Sequence, residues 1–210
     1  MILVNLIQNK MDPISKLTEY FREFPGIGPR QARRFVYFLL TRNSAFLEEV
    51  SHLILEIKKN IKMCSSCFRF YQNSNEGLCN ICKEKNRDKE QLMIVARDID
   101  FETVERSGFY NGLYFILGGT IPILDKDPEK RVRIKELIQK INDGKFKEII
   151  LSLNSNSEGE NTANYIRTII NNTNPNIKIS VLGKGLSTGS ELEYTDAETI
   201  KNALRNREEI

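Results

Sequence analysis

From Asp12 onward the chain first shows helical and then strand-like hydrophobic spacing. Asp12-Pro13 predicts a helix start, because an Asp side chain caps free N–H groups and Pro at the first position has no N–H to lose. Ile14, Leu17, Tyr20, Phe21 and Phe24 follow at helical spacing. Pro25-Gly26-Ile27-Gly28 stops this helix, and Pro29 opens a second one through Ala32, Phe35, Val36, Leu39 and Leu40. A third amphipathic helix is expected over about Ser44 to Lys59, with Phe46, Leu47, Val50, Leu53, Ile54 and Ile57 inward. His52, the only histidine, falls in this helix and reads as a structural or surface residue.

The period then changes. After a charged linker at Arg87-Asp88-Lys89-Glu90, Leu92 to Ala96 is a short continuous apolar run, the mark of a strand buried on both faces. A helix over about Asp100 to Ser107 follows, then a strand at Leu113 to Leu117 ending in Gly118-Gly119. The next expected elements are a helix from Pro128 to Asn142, a strand from Phe146 to Leu153 and a helix from Ser157 to Asn171. Ser157 and Glu160 stand at capping-box spacing at its start. A strand at Asn176 to Leu182, an acidic segment at Glu191 to Asp196 and a last helix over Ala197 to Arg205 complete the chain. The fold class is therefore mixed α and β: a helical N-terminal part, then an α/β part whose alternating strands and helices imply a mostly parallel sheet covered on both faces.

Composition adds exclusions. A hydrophobic fraction of 40% and a charged fraction of 28% are those of an ordinary folded domain, neither disordered nor membrane-spanning. No apolar run approaches the roughly 18 residues of a membrane span. Met1 to Ile7 is apolar but lacks a basic flank and a small-residue cleavage site, so the cytoplasm is the expected location. The net charge of +3 permits a nucleic-acid partner without requiring one.

The four cysteines lie in one stretch, Cys64 and Cys67, then Cys79 and Cys82. A two-residue gap lets one turn present two thiolates, and two such turns complete the tetrahedral S₄ shell that structural zinc prefers. Two disulfides or an iron–sulfur cluster are the other uses of such a set. With all four positions taken by protein, a zinc ion here would be structural.

The stretch between the first two helices carries a second chemistry. Gly26 and Gly28 let backbone approach a ligand, and the N-terminus of the following helix aims free N–H groups and a positive dipole end at it. Arg30 and Arg34 share one helix face, with Arg33 and Arg22 close by. The reading is a helix–hairpin–helix that binds DNA phosphates, against a plain helix turn with solvated arginines.

Taken in order, these pieces resemble the RecR family of recombination mediators. The resemblance rests on FPGIGPRQARRF, the four-cysteine stretch, Arg87-Asp88, ERSGFYNGLYFILGGTIPILD, SEGENTA and GKGLSTGSELEYTD, and covers the chain from Met11 onward. Residues 1–10 do not resemble the family start and read as an extension or a misassigned start. The resemblance implies a helix–hairpin–helix domain at 1–60, a C4 zinc finger at 61–87, a Toprim domain at 88–185 and a C-terminal arm at 186–210. It implies a clamp or ring, a homo-oligomer and by resemblance a tetramer, that works with RecO and sometimes RecF to load recombinase on single-stranded DNA.

The alternative is a Toprim-type metal-dependent phosphodiester enzyme. Such enzymes use a glutamate after the first strand and a D-x-D pair after a later one to hold Mg²⁺. Here those positions carry Ala96 and Asn154-Ser155-Asn156, so the expected protein is no enzyme. Asp98 lies nearby without an assigned job, and helix capping is the expected job of Asp100. Glu158 and Glu160 read either as partner contacts or as solvated first-turn residues. The Gly183 to Gly189 stretch lacks the G-x-x-x-x-G-K-[ST] order of a P-loop and reads as a glycine-rich loop.

Overall fold

Asp12 caps the first helix as its sequence position requires. Its Oδ1 accepts from the N–H groups of Ile14 and Ser15 at 2.9 and 3.2 Å, opening α1 (Pro13–Arg22). The computed structural model describes residues 12–72, 77–125 and 127–207 and divides the chain at Asn60 into two compact units. Residues 1–10 lie outside the described residues.

In the first unit, α1 packs on α2 (Pro29–Leu40) through Phe21 and Phe35, edge to face at 5.8 Å, around the buried Ala32 and Val36. Thr18 is buried there too, its hydroxyl satisfied by donating to the Ile14 carbonyl at 2.7 Å. The third helix, α3 (Ser44–Asn60), departs from expectation. Its apolar face is not buried: Leu53, Ile54, Leu55 and Ile57 are 50 to 66% exposed. Tyr20, Phe24 and Leu40 are also open. Periodicity marks a face that water disfavours, but three helices supply too few neighbours to cover it within one unit.

The second unit is built on a four-stranded sheet of order β4-β3-β5-β6, parallel throughout. Its strands are β3 (Asp88–Val95), β4 (Gly112–Ile116), β5 (Glu148–Ser152) and β6 (Lys178–Val181). Side chains alternate across it. Leu92, Ile94, Phe115, Ile149 and Leu151 face one cluster, closed by Ile134, Leu137 and Ile141 of α7 (Ile134–Asp143) and by Ile166 and Ile170 of α8 (Ser157–Thr173). Met93, Val95, Tyr114 and Ile116 face the other, closed by Phe101 of α5 (Asp98–Ser107) and by Cys64, Cys67, Cys79, Tyr71 and Ile81. The cysteine segment, with the antiparallel pair β1 (Ile61–Met63) and β2 (Phe70–Gln72) and the short α4 (Asn80–Lys83), is thus one cover of the sheet.

Three local expectations are corrected. Asp88 to Glu90 are not a linker but the first residues of β3. The Pro128 to Asn142 helix is two, α6 (Pro128–Arg131) and α7, because Val132 is extended and buried. The break returns the chain to the sheet, where the Arg133 N–H donates to Leu117 O and its Nη1 to Ile116 O, both at 2.9 Å. The cap of α8 is Asn156, whose Oδ1 accepts from the Gly159 N–H at 2.9 Å, rather than Ser157. Gly159 itself is required, since a Cβ there would collide with the Asn154 carbonyl oxygen.

Arg87 ties the covers together. Its guanidinium, with the side chain 7% exposed, meets Glu84 beyond α4 at 2.8 Å and holds Glu105 of α5 in a bidentate pair. The Arg87 charge holds the Glu105 carboxyl below the usual carboxylate range. A depressed folded-state pKa contributes stability above the unfolded value, near 4.5, and that contribution is lost as pH falls through the lowered value. We expect Arg87→Ala to cost about 3 kcal/mol in urea unfolding at pH 7, and less at a pH acid enough to protonate Glu105. An equal cost at both pH values would show that the pair contributes nothing specific.

Candidate metal centre and nucleic-acid interface

The two CxxC turns converge on one point. The sulfur atoms of Cys64, Cys67, Cys79 and Cys82 all lie within 4.8 Å of one another, with Cys64 to Cys82 at 3.8 Å and Cys67 to Cys79 at 3.5 Å. A tetrahedron of thiolates each about 2.3 Å from a central ion has edges of about 3.8 Å, so the set fits a metal ion. All four are free thiols, and these separations are too long for disulfides. The Cys79 N–H points at Cys64 Sγ at 3.4 Å, an interaction that favours a thiolate. Cys64 is held low by hydrogen bonds from Cys67, Cys79 and Cys82, and Cys79 is brought to about 6, whereas Cys67 and Cys82 are pushed up by sharing protons with Cys64. Four crowded sulfurs cannot all ionise without a cation among them, and a bound ion would neutralise them and cross-link the two turns.

The backbone around this cluster is fixed to the sheet. Ile116 N–H donates to Cys67 O at 2.9 Å, Phe70 N–H donates to Asp98 at 2.8 Å, and the Arg69 guanidinium lies 4.4 Å from the centre of the Phe101 ring. Phe68 adopts φ 63°, rare for a residue with a side chain, and its ring stacks edge-on against Phe115 at 5.3 Å. Sequence spacing locates the ligands but carries no signal for these supports.

In the hairpin, Gly26 has φ 76° and so needs glycine. Gly28 is extended at φ −84°, open to any residue, and caps α2 without a side chain, leaving space at the helix start. Arg30, Arg33 and Arg34 are exposed and make no ion pair among the described residues; Arg34 reaches only Gln31, at 3.4 Å. Arg22 is instead paired with Glu19 at 2.9 Å, and Arg42 stacks on Phe38 at 4.1 Å. Residues 1–60 hold nine Lys and Arg against six Asp and Glu, while residues 61–210 hold 22 of each. The whole positive excess thus belongs to the hairpin unit.

The Toprim-like end of the sheet holds acids that serve elsewhere. Ala96 is buried beyond β3. Asp98 accepts from Phe70, and Asp100 accepts from the Arg97 N–H at 3.0 Å, the capping job expected of it. Glu158 accepts from the Thr120 hydroxyl at 2.9 Å. Glu160 pairs with Lys184 at 2.8 Å, and that ammonium holds its carboxyl low. Among the described residues the cysteines form the only group of three or more metal-ligating side chains close enough to share an ion. Asn154 and Asn156 line a groove of about 970 Å³ that also takes in Lys184, Asp196 and Asn202. The glycine-rich loop above it opens no helix; Asn206 of the C-terminal segment, just past α9 (Ala197–Arg205), donates to Lys184 O at 2.6 Å and closes over it.

Helical hairpin, cysteine cluster and parallel sheet together define a Toprim-domain protein with a helix–hairpin–helix module. Residues 90–183 match the Toprim domain model, residues 14–57 the model for the RecR helix-hairpin-helix, and residues 185–208 that for the RecR C-terminal region. Recombination protein RecR of Staphylococcus haemolyticus is 35% identical over 199 residues, covering 95% of this chain and 98% of the relative. The proteins of the same name from Prochlorococcus marinus (strain MIT 9312) and Gloeobacter violaceus are each 34% identical over 198 residues, covering 94% of this chain and 96% and 98% of their own. The chain belongs to the RecR family.

Elemental analysis of protein purified under reducing conditions should find one metal ion per chain. Cys67→Ser should lower this below about half an equivalent, since three thiolates hold a structural ion far less tightly than four. A metal-free wild-type protein with intact fold would overturn the assignment.

Proposed function

We propose that this protein is a non-catalytic DNA clamp of recombinational repair, which works with RecO and RecF to load recombinase on single-stranded DNA. The observation that carries the reading is the start of α2: a glycine-opened helix N-terminus beside the unpaired Arg30 and Arg34, in the unit that holds all of the chain's excess positive charge. The family and its printed name support recombination as the setting. No helix of the described residues is long and apolar enough to cross a membrane, and the cytoplasm is the location that fits. The metal is zinc, held by Cys64, Cys67, Cys79 and Cys82 as a structural ion. The helical unit at 1–60 then acts as one module, and the cysteine finger at 61–87, the Toprim domain from 88 to 185 and the arm beyond it as parts of the other.

Against the enzymatic alternative stands the absence of an acid at Ala96, Asn154 and Asn156, with each remaining acid engaged elsewhere. Gly26, Gly28, Arg30 and Arg34 touch phosphates without reading bases. Glu158 and Glu160 face a partner protein.

Assembly completes the clamp. One hairpin can grip few phosphates, and several in a ring, a tetramer by resemblance, gain affinity through effective concentration. The open stripe of Leu53, Ile54, Leu55 and Ile57 supports a second copy as its cover.

Arg30→Ala with Arg34→Ala should weaken binding to every DNA sequence and flatten the log–log salt dependence by roughly 0.7–0.9 for each phosphate the variant leaves unneutralised. Lys58→Ala with Lys59→Ala removes equal charge away from the hairpin; anisotropy titrations showing the two pairs alike would reject the hairpin as the DNA site. For the assembly, light scattering should show an oligomer at micromolar protein and fewer subunits after Leu53→Glu with Ile57→Glu. A wild-type monomer would count against the clamp.

A further inference from the structure

A groove of about 820 Å³ lies between the cysteine module and the C-terminal half of α7, at the end of the sheet where the strands begin. Its apolar lining is Phe68, Leu113 and Phe146. Phe146 belongs to the main core cluster, and Phe68 and Leu113 pack against that cluster, so these walls are held by the fold. On one side the groove meets the first metal turn at Ser65 and Ser66, and on the other α7 at Gln139 and Lys140. Such a volume, with apolar walls and few polar groups, is that of a small-molecule site. Every lining residue belongs to the second unit.

The polar groups narrow the occupant. Lys140 reaches from α7 to the metal turn, its Nζ donating to Ser66 Oγ at 2.8 Å in a partly buried bond. Among the described residues that hydroxyl is its partner, and no carboxylate pairs with it. An ammonium has three hydrogens to donate, and the Ser66 hydroxyl has one of its own. Two donors this close suit the two oxygens of one carboxylate. The remaining charges set a limit. Lys89, Lys140 and Lys145 line the groove against Glu90, Glu136 and Asp143, and Glu90 is already neutralised by Lys147 at 2.7 Å. One positive charge is left over, which favours a single negative charge and disfavours a chain of phosphates.

We propose that this groove binds a small amphipathic carboxylate. Its carboxyl group accepts from Lys140 and Ser66, and its apolar body lies against Phe68, Leu113 and Phe146. Ser66 stands between Cys64 and Cys67, so the occupant bridges the first metal turn and α7. The site is independent of the DNA contacts and of the partner proteins.

The probe is phenylacetate, with phenylacetamide as its uncharged counterpart, each titrated against the full-length, metal-loaded protein by nuclear magnetic resonance. The acid should bind saturably at one site per chain and the amide at least about tenfold more weakly, since a charged hydrogen bond is lost. Lys140→Met keeps the apolar stem and should bring the acid down to the level of the amide. Gln139→Trp, at an exposed position on the groove wall, should weaken both ligands by filling the space. Cooperative melting of each variant verifies that it is folded. Acid and amide binding alike to the wild type, or unchanged acid affinity in Lys140→Met, overturns the carboxylate site. No saturable binding of the acid to the wild type, or full affinity in Gln139→Trp, overturns the groove as the place.

Discussion

A parallel sheet must be covered on both faces, and the second unit depends on how this chain meets that demand. Helices α7 and α8 close one face in the usual way. The other is closed by α5 and by the cysteine module, whose buried Cys64, Cys67 and Cys79 belong to the same apolar cluster as Met93, Val95, Tyr114 and Ile116. The thiol cluster is therefore no appended bead. The Ile116 N–H donating to Cys67 O and the Phe70 N–H donating to the Asp98 carboxylate carry its position directly into β4 and the start of α5. Arg87, gripped by Glu84 and Glu105, fastens the far side.

That arrangement explains the fate of the acids at the Toprim end. A divalent cation needs several carboxylates converging without other duties. Here Asp98 holds the cysteine module, Asp100 caps α5 and Glu160 neutralises Lys184. Asn156, a neutral side chain, caps α8. The architecture is kept while its anionic groups serve packing.

Net charge is unequally divided between the units. The hairpin unit holds the whole positive excess together with the open stripe of α3, while the second unit is electrically balanced. The groups that the proposed DNA clamp calls on, unpaired arginines and an open apolar stripe, thus both lie within the same 60 residues.

The sequence by itself determined the order of the longer helices and of the four sheet strands, because helix caps, proline starts and hydrophobic period are local. Asp12, Pro29 and Asp196 begin helices where they stand, and Leu92 to Ala96 is as buried as its unbroken apolar run requires. It also placed four cysteines at metal-ligand spacing, since a CxxC turn is made by its own residues. What lay beyond it was decided by distant partners. The same amphipathic pattern that buries α7 leaves α3 open, because a pattern names a face but not its cover. The residues 128–142 pattern could not reveal the extended Val132, which exists because Arg133 must reach the end of β4, 17 positions back. Nor could it tell Glu158 from Glu160, adjacent on one helix turn, whose difference is Lys184, 24 residues away. Local chemistry is written along the chain; pairing between remote segments exists only once the sheet has brought them together.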